Sequence, residues 1–167
     1  AEDGIRATSL TGIQTCALPI CLLGGLQAAG SRYVVVYNLP DLGKTPSAAA
    51  GGAAAQAAAP QLALIYNGVL NGGLAQLSNN GLNIIPVNTF ALLNEVIANP
   101  SAYGFSNVTA PACTGGSGSS IQCGPQGSGA PVTYAPGTDQ TYLFADGVHP
   151  TTAAHAMLSQ YVASVIH

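Results

Sequence analysis

The apolar positions along the chain change period several times, and the changes alternate between strand and helix. Leu22 to Ala29 reads as the end of a helix stopped by Gly30. Tyr33 to Tyr37 is a continuous β-branched and aromatic run, which suits a buried strand of a parallel sheet. Ala48 to Ala59, rich in alanine and glycine, reads as a loop. It leads into Leu62, Ile65, Tyr66, Val69, Leu70, Leu74 and Leu77, whose spacing predicts one long helix ended by Asn79-Asn80-Gly81. Gly72-Gly73 inside that helix costs roughly 1 kcal/mol per glycine against alanine and predicts a kink or close packing. Leu82 to Val87 is the next strand, and Phe90 to Ala98 follows with Leu92, Leu93, Val96 and Ile97 on a helical face. From Pro100 to about Thr138 the chain turns to Gly, Ser, Pro and Thr. That stretch is too long for an ordinary connection, and predicts either a pocket-lining segment or a solvated excursion. Thr152 to Ile166 closes the chain as an amphipathic helix through Ala153, Met157, Leu158, Tyr161, Val162 and Val165.

This β-then-α alternation predicts an α/β fold, and 167 residues with 48 % apolar content suffice for one domain with a core. Only 5 % of the residues are charged, against roughly 25 % in ordinary globular chains. Ser, Thr, Asn, Gln and Gly must therefore keep the surface wet. Three Lys and Arg in all argue against a nucleic-acid groove, and a net charge of −3 argues against electrostatic attachment to anionic lipid. No apolar run approaches the roughly 20 residues that span a bilayer. Cys113 and Cys123 flank a Gly/Ser-rich loop at a spacing that suits a disulfide, contributing about 3 kcal/mol in the chain-entropy model and implying an oxidising compartment. A pair of reduced thiols is the alternative.

The chemistry concentrates in Asp146-Gly147-Val148-His149-Pro150-Thr151. A carboxylate that accepts a bond from one ring nitrogen fixes the imidazole tautomer and leaves the other nitrogen free to take a proton from a hydroxyl. A spacing of three on a tight glycine-containing loop lets Asp146 orient and His149 act, with Pro150 at a helix start. The plainer reading has Asp146 capping a turn beside a surface histidine. His155 points to another helix face, which suits a surface or supporting role, and His167 carries no functional expectation.

The run from Tyr142 to His155 resembles the last motif block of GDSL-type (SGNH) esterases and lipases. Val34 to Pro46 is similar to that family's mid-domain strand and loop in secreted and autotransporter members, and Asn99 to Asn107 looks similar too. The resemblance covers roughly residues 21–167. It implies a flavodoxin-like three-layer α/β/α domain, a serine nucleophile with His149 as base and Asp146 as its partner, a small-molecule or lipid ester substrate, and no metal or organic cofactor. It also implies a secreted or outer-membrane location, with a C-terminal outer-membrane barrel in the parent protein.

The departures are equally specific. The family sets its nucleophile in a Gly-Asp-Ser block, and no serine here stands in a Gly-Asp-Ser or Gly-x-Ser-x-Gly context. Ser9, Ser31, Ser47, Ser78, Ser101 and the serines of residues 117–128 therefore give no nucleophile. Asn38 sits in the Leu-Pro-Asp block and reads as structural or pocket-lining. Residues 11–20 resemble a translated short-read sequencing adapter, with Cys-Ala-Leu-Pro-Ile as its end. The expectation is a non-native segment over 1–20, followed over 21–167 by the C-terminal part of a hydrolase domain whose first strand and nucleophile block are missing, inactive alone. A noncatalytic extracellular binding or adhesive passenger domain is the alternative, and acyl transfer or polysaccharide deacetylation on the same scaffold is a third reading.

Overall fold

A computed structural model describes residues 18–115 and 119–166. The expected non-native segment over 1–20 thus lies almost wholly outside the described residues, as does His167. The described chain forms two compact units.

The first unit comprises residues up to Asn38 together with Leu64–Val87. Helix α1 (Leu18–Ala28) leads into strand β1 (Tyr33–Tyr37), and β2 (Asn83–Val87) pairs with β1 in parallel, Tyr33 opposite Asn83 and Tyr37 opposite Val87. The Asn38 N–H extends the ladder by donating to the Val87 carbonyl at 3.2 Å. β1 is parallel as expected but not wholly buried: Tyr33 and Tyr37 at its ends are exposed. Aromatic residues favour strands through their fit to a pleated surface, and this does not require burial at strand ends. Leu23, Leu70, Leu74 and Leu82 form the core, with Val34, Val36 and Ile84 packed against it. Gly73 is a close-packing position. A Cβ there would stand 2.5 Å from Ile20 Cγ1, so glycine is what allows α1 to approach, whereas Gly72 faces open space.

The second unit comprises Leu39–Ala63 and Asn88–His167. Here the expected alanine-rich loop is helical. After a 3-10 turn (Leu42–Lys44), α2 (Pro46–Ala50) and α3 (Gly52–Asn79) take in the whole of Ala48 to Ala59, and α3 then continues into the first unit. Thr45 starts α2 by accepting the Ala48 N–H on its hydroxyl, with Pro46 at the first helical position. Alanine's high helix propensity outweighs the breaking effect of the scattered glycines. Pro60 lies inside α3 and removes one helical N–H, the one that would reach the Gln56 carbonyl. Gly43 packs over that place, and a Cβ on it would lie 2.6 Å from both the Gln56 oxygen and Pro60 Cγ.

Helix α4 (Thr89–Ala98) is capped by the Asn88 side chain, which accepts the Ala91 N–H at 3.1 Å. β3 (Asn107–Pro111) runs parallel to β7 (Tyr142–Phe144). The segment between them, expected as either a pocket-lining stretch or a solvated excursion, builds a small sheet. β4 (Cys113–Thr114) lies antiparallel to β6 (Val132–Tyr134), and β5 (Cys123–Pro125) lies parallel to β6. Its strands have two or three residues each, too short for a hydrophobic period to register in the sequence. A short helix α5 (Thr138–Thr141) precedes β7, and α6 (Thr152–Ile166) ends the described chain. The core joins Leu92 and Val96 of α4 to Phe105, Leu143, Phe144 and Ala154. Parallel strand pairs linked through helices make this an α/β fold, as the alternation predicts. Among the described residues, no helix is long and apolar enough to cross a membrane.

Candidate active site

The loop carrying Asp146 and His149 is closed at its base by the backbone. The Ala145 N–H donates to the His149 carbonyl at 2.8 Å, and Phe144 and Pro150 form an isolated antiparallel bridge. Two neighbours hold it from outside: Cys113 N–H donates to the Ala145 carbonyl at 2.8 Å, and Ser47 N–H donates to the Gly147 carbonyl at 2.9 Å. A Cβ at position 147 would collide with the Ser47 hydroxyl, so the glycine between acid and histidine permits this contact. Pro150 is not the first helical residue. Thr151 takes the capping place, its hydroxyl accepting the Ala154 N–H at 3.2 Å and donating to the Tyr142 carbonyl at 2.6 Å. Pro150 is thus displaced into the bridge.

Asp146 and His149 are brought together. Asp146 Oδ1 accepts the N–H groups of Val148 at 2.9 Å and His149 at 2.8 Å, while Oδ2 lies 2.8 Å from His149 Nδ1 and accepts the Ser120 N–H at 3.0 Å. The side chain of Asp146 is 9 % exposed and that of His149 66 %, so a buried carboxylate holds one edge of a ring that is otherwise accessible. Asp146 therefore both closes its own turn and meets the imidazole. Burial pushes its carboxyl upward, but hydrogen bonds from Ser120, His149 and Val148 outweigh it and hold the group well below the ordinary carboxylate range.

The depressed value has a sign. A carboxyl whose folded pKa lies below its unfolded one stabilises the fold at pH values above the unfolded pKa, and that contribution is lost as pH falls towards the folded value. The unfolding free energy of the unaltered chain should thus exceed that of Asp146→Asn by about 1.5–3 kcal/mol near neutral pH, a gap that shrinks below about pH 4. Urea denaturation of both proteins at several pH values measures it, and a gap independent of pH would contradict the assignment.

The Cys113–Cys123 pair is a disulfide with Cα atoms 6.0 Å apart. It borders a cavity of about 250 Å³ on the flank of the loop, lined in part by Ser120, Tyr134, Asp139, Thr152 and His155. His155 Nδ1 lies 2.9 Å from the Thr151 carbonyl oxygen on its own helix. Asn38 belongs to the other unit. Among the described residues, no group of three or more His, Cys, Asp or Glu could hold a metal ion. Ser120 was not legible as a site residue: it lies 26 positions from Asp146, which it reaches with both its N–H and its hydroxyl, and serines are common along this segment.

The profile of the GDSL-like lipase/acylhydrolase family matches residues 18–162. The chain belongs to this family. Esterase EstA of Pseudomonas aeruginosa is 38 % identical over 141 residues, which cover 81 % of this chain and 20 % of that protein. Lipase 1 of Photorhabdus luminescens is 41 % identical over 91 residues, 54 % of this chain and 13 % of that one. A GDSL esterase/lipase of Arabidopsis thaliana is 32 % identical over 143 residues, 80 % of this chain and 38 % of its own length. The chain thus spans about a fifth of the bacterial esterase it matches. Membership of the GDSL family agrees with the SGNH resemblance and with the α/β fold.

Proposed function

We propose that this GDSL-family chain supplies the general base of a serine ester hydrolase that cleaves carboxylic esters through an acyl-enzyme. One observation carries the reading: the 2.8 Å contact between His149 Nδ1 and a buried, backbone-pinned Asp146 carboxylate, with most of the imidazole left accessible. With Asp146 ionised, the neutral ring keeps its proton on Nδ1 and offers Nε2 as a base. His149 then takes the proton of a serine hydroxyl as that oxygen attacks the ester carbonyl, and Asp146 stabilises the imidazolium. The same proton passes to the departing alkoxide, and the freed ring activates water to release the acid. The names of the relatives, esterase and lipase, support the ester as substrate. The Cys113–Cys123 disulfide supports a secreted or surface-displayed setting.

The serine is assigned outside these residues, because no serine here stands in a Gly-Asp-Ser context. The chain alone should therefore give no hydrolysis of a short-chain chromogenic ester above background. The longer polypeptide, joined to an upstream Gly-Asp-Ser block, should turn it over and be labelled by a fluorophosphonate. Hydrolysis by the chain alone that disappears in His149→Ala would overturn the external serine, and an extended protein that neither turns over ester nor takes the label would overturn the hydrolase reading.

A further inference from the structure

We infer that Ser120 is a positioning residue for the Asp146–His149 pair, presented by a turn that the Cys113–Cys123 disulfide ties to the loop. The inference rests on the proposed role of that pair.

The Ser120 N–H donates to Asp146 Oδ2, the oxygen that also lies nearest to His149 Nδ1. The other two backbone donors to the carboxylate, Val148 and His149, both serve Oδ1 and come from the acid's own turn. Ser120 thus supplies the backbone donor that fixes the oxygen facing the imidazole, and it comes from another part of the chain. Its position is set by a closed circuit. Cys113 donates to the Ala145 carbonyl beside Asp146, is bonded through sulfur to Cys123, and stands opposite Tyr134 in the sheet; Cys123 stands opposite Val132 on the same central strand, β6. Ser120–Gln122 is a 3-10 turn directly before Cys123, and its first N–H is the one that reaches Asp146. Covalent bond, sheet pairing and turn converge on the loop that carries this carboxylate, and the turn ends on the carboxylate itself. A carboxylate receiving charge-assisted bonds from backbone N–H groups is held ionised and in a fixed plane, the state that orients an imidazolium.

Ser120→Pro removes both the N–H and the hydroxyl that Ser120 offers to Asp146, with little steric conflict, and Ser120→Ala, which keeps the N–H, should shift the carboxyl less. Ser119 is extended, with φ −78° and ψ 130°, the region a residue before proline prefers, and proline is tolerated at the first position of a helical turn. Carbon-detected NMR titration of the Asp146 carboxyl in the full chain should show protonation beginning about one pH unit or more higher in Ser120→Pro, a tenfold or greater change in proton affinity. Cys113→Ala/Cys123→Ala should move it the same way. A carboxyl that titrates identically in the unaltered chain and in Ser120→Pro overturns the inference. A measurement on the unaltered fold guards against a variant that does not fold: the Ser120 amide should be protected from hydrogen exchange and lose that protection in Asp146→Ala. Exchange of that amide at the rate of an exposed loop overturns the inference. The nitrogen shifts of His149 separate this from failure of the underlying reading: a neutral ring carrying its proton on Nε2 in the unaltered chain overturns the Asp146–His149 pairing itself, and the positioning role with it.

Discussion

Replacing His149 by alanine in the extended, nucleophile-bearing polypeptide should lower kcat for a short-chain ester by about five to six orders of magnitude, with KM little changed. The size follows from the geometry. In the proposed mechanism the imidazole carries the proton transfer, and it does little for packing: its side chain is 66 % exposed, so its removal leaves no cavity and should leave the unfolding free energy within about 0.5 kcal/mol of the original, apart from the lost contact to Asp146. Asp146→Ala should cost less in turnover, about four orders, because the ring keeps its place in the chain while losing its fixed tautomer. Unlike His149→Ala, it should also destabilise the fold, because the Val148, His149 and Ser120 N–H groups lose their acceptor. Steady-state kinetics and urea denaturation on the two variants give these four numbers. Turnover within tenfold of the original in His149→Ala would remove the histidine from the mechanism; a binding module, which should show no turnover, would instead tolerate alanine at both positions with little change in ligand affinity.

Phe144→Ala should destabilise the fold by about 3–5 kcal/mol. Phe144 is 4 % exposed and packs with Leu92, Val96, Phe105, Leu143 and Ala154, where the helices and the β3–β7 pair meet. Its backbone is equally committed: the carbonyl accepts the Ala112 N–H at 2.8 Å, and the residue bridges to Pro150 across the base of the Asp146–His149 loop. The cavity left by the ring would therefore loosen the frame of the candidate site as well as the core. Val148→Ala is the contrast. Val148 lies in the same loop but is 49 % exposed, and only its N–H is used, so truncation should change stability by less than about 0.5 kcal/mol. Equal losses for the two substitutions would show that the loop, not the core, limits stability.

What the sequence determined is what short-range physics controls. The strand runs Tyr33–Tyr37 and Asn83–Val87, the helix Thr152–Ile166 and the Cys113–Cys123 bond are all legible, because residue type and period over five to fifteen positions decide them. The Asp146–His149 contact is legible for the same reason: a carboxylate reaches N–H groups two and three residues ahead through its own turn, and the ring of the third residue is carried with them. Tertiary structure decided the rest. The alanine-rich stretch became helix, and the Gly/Ser/Pro segment after Pro100 became a sheet of two- and three-residue strands, too short to announce themselves and formed only by pairing with partners such as Tyr134 and Val132. The Ser120 N–H reached Asp146 across 26 positions because a disulfide and that sheet close the distance. A backbone donor is present at nearly every residue, so its position in the chain says nothing of its use, and only the folded path singles one out.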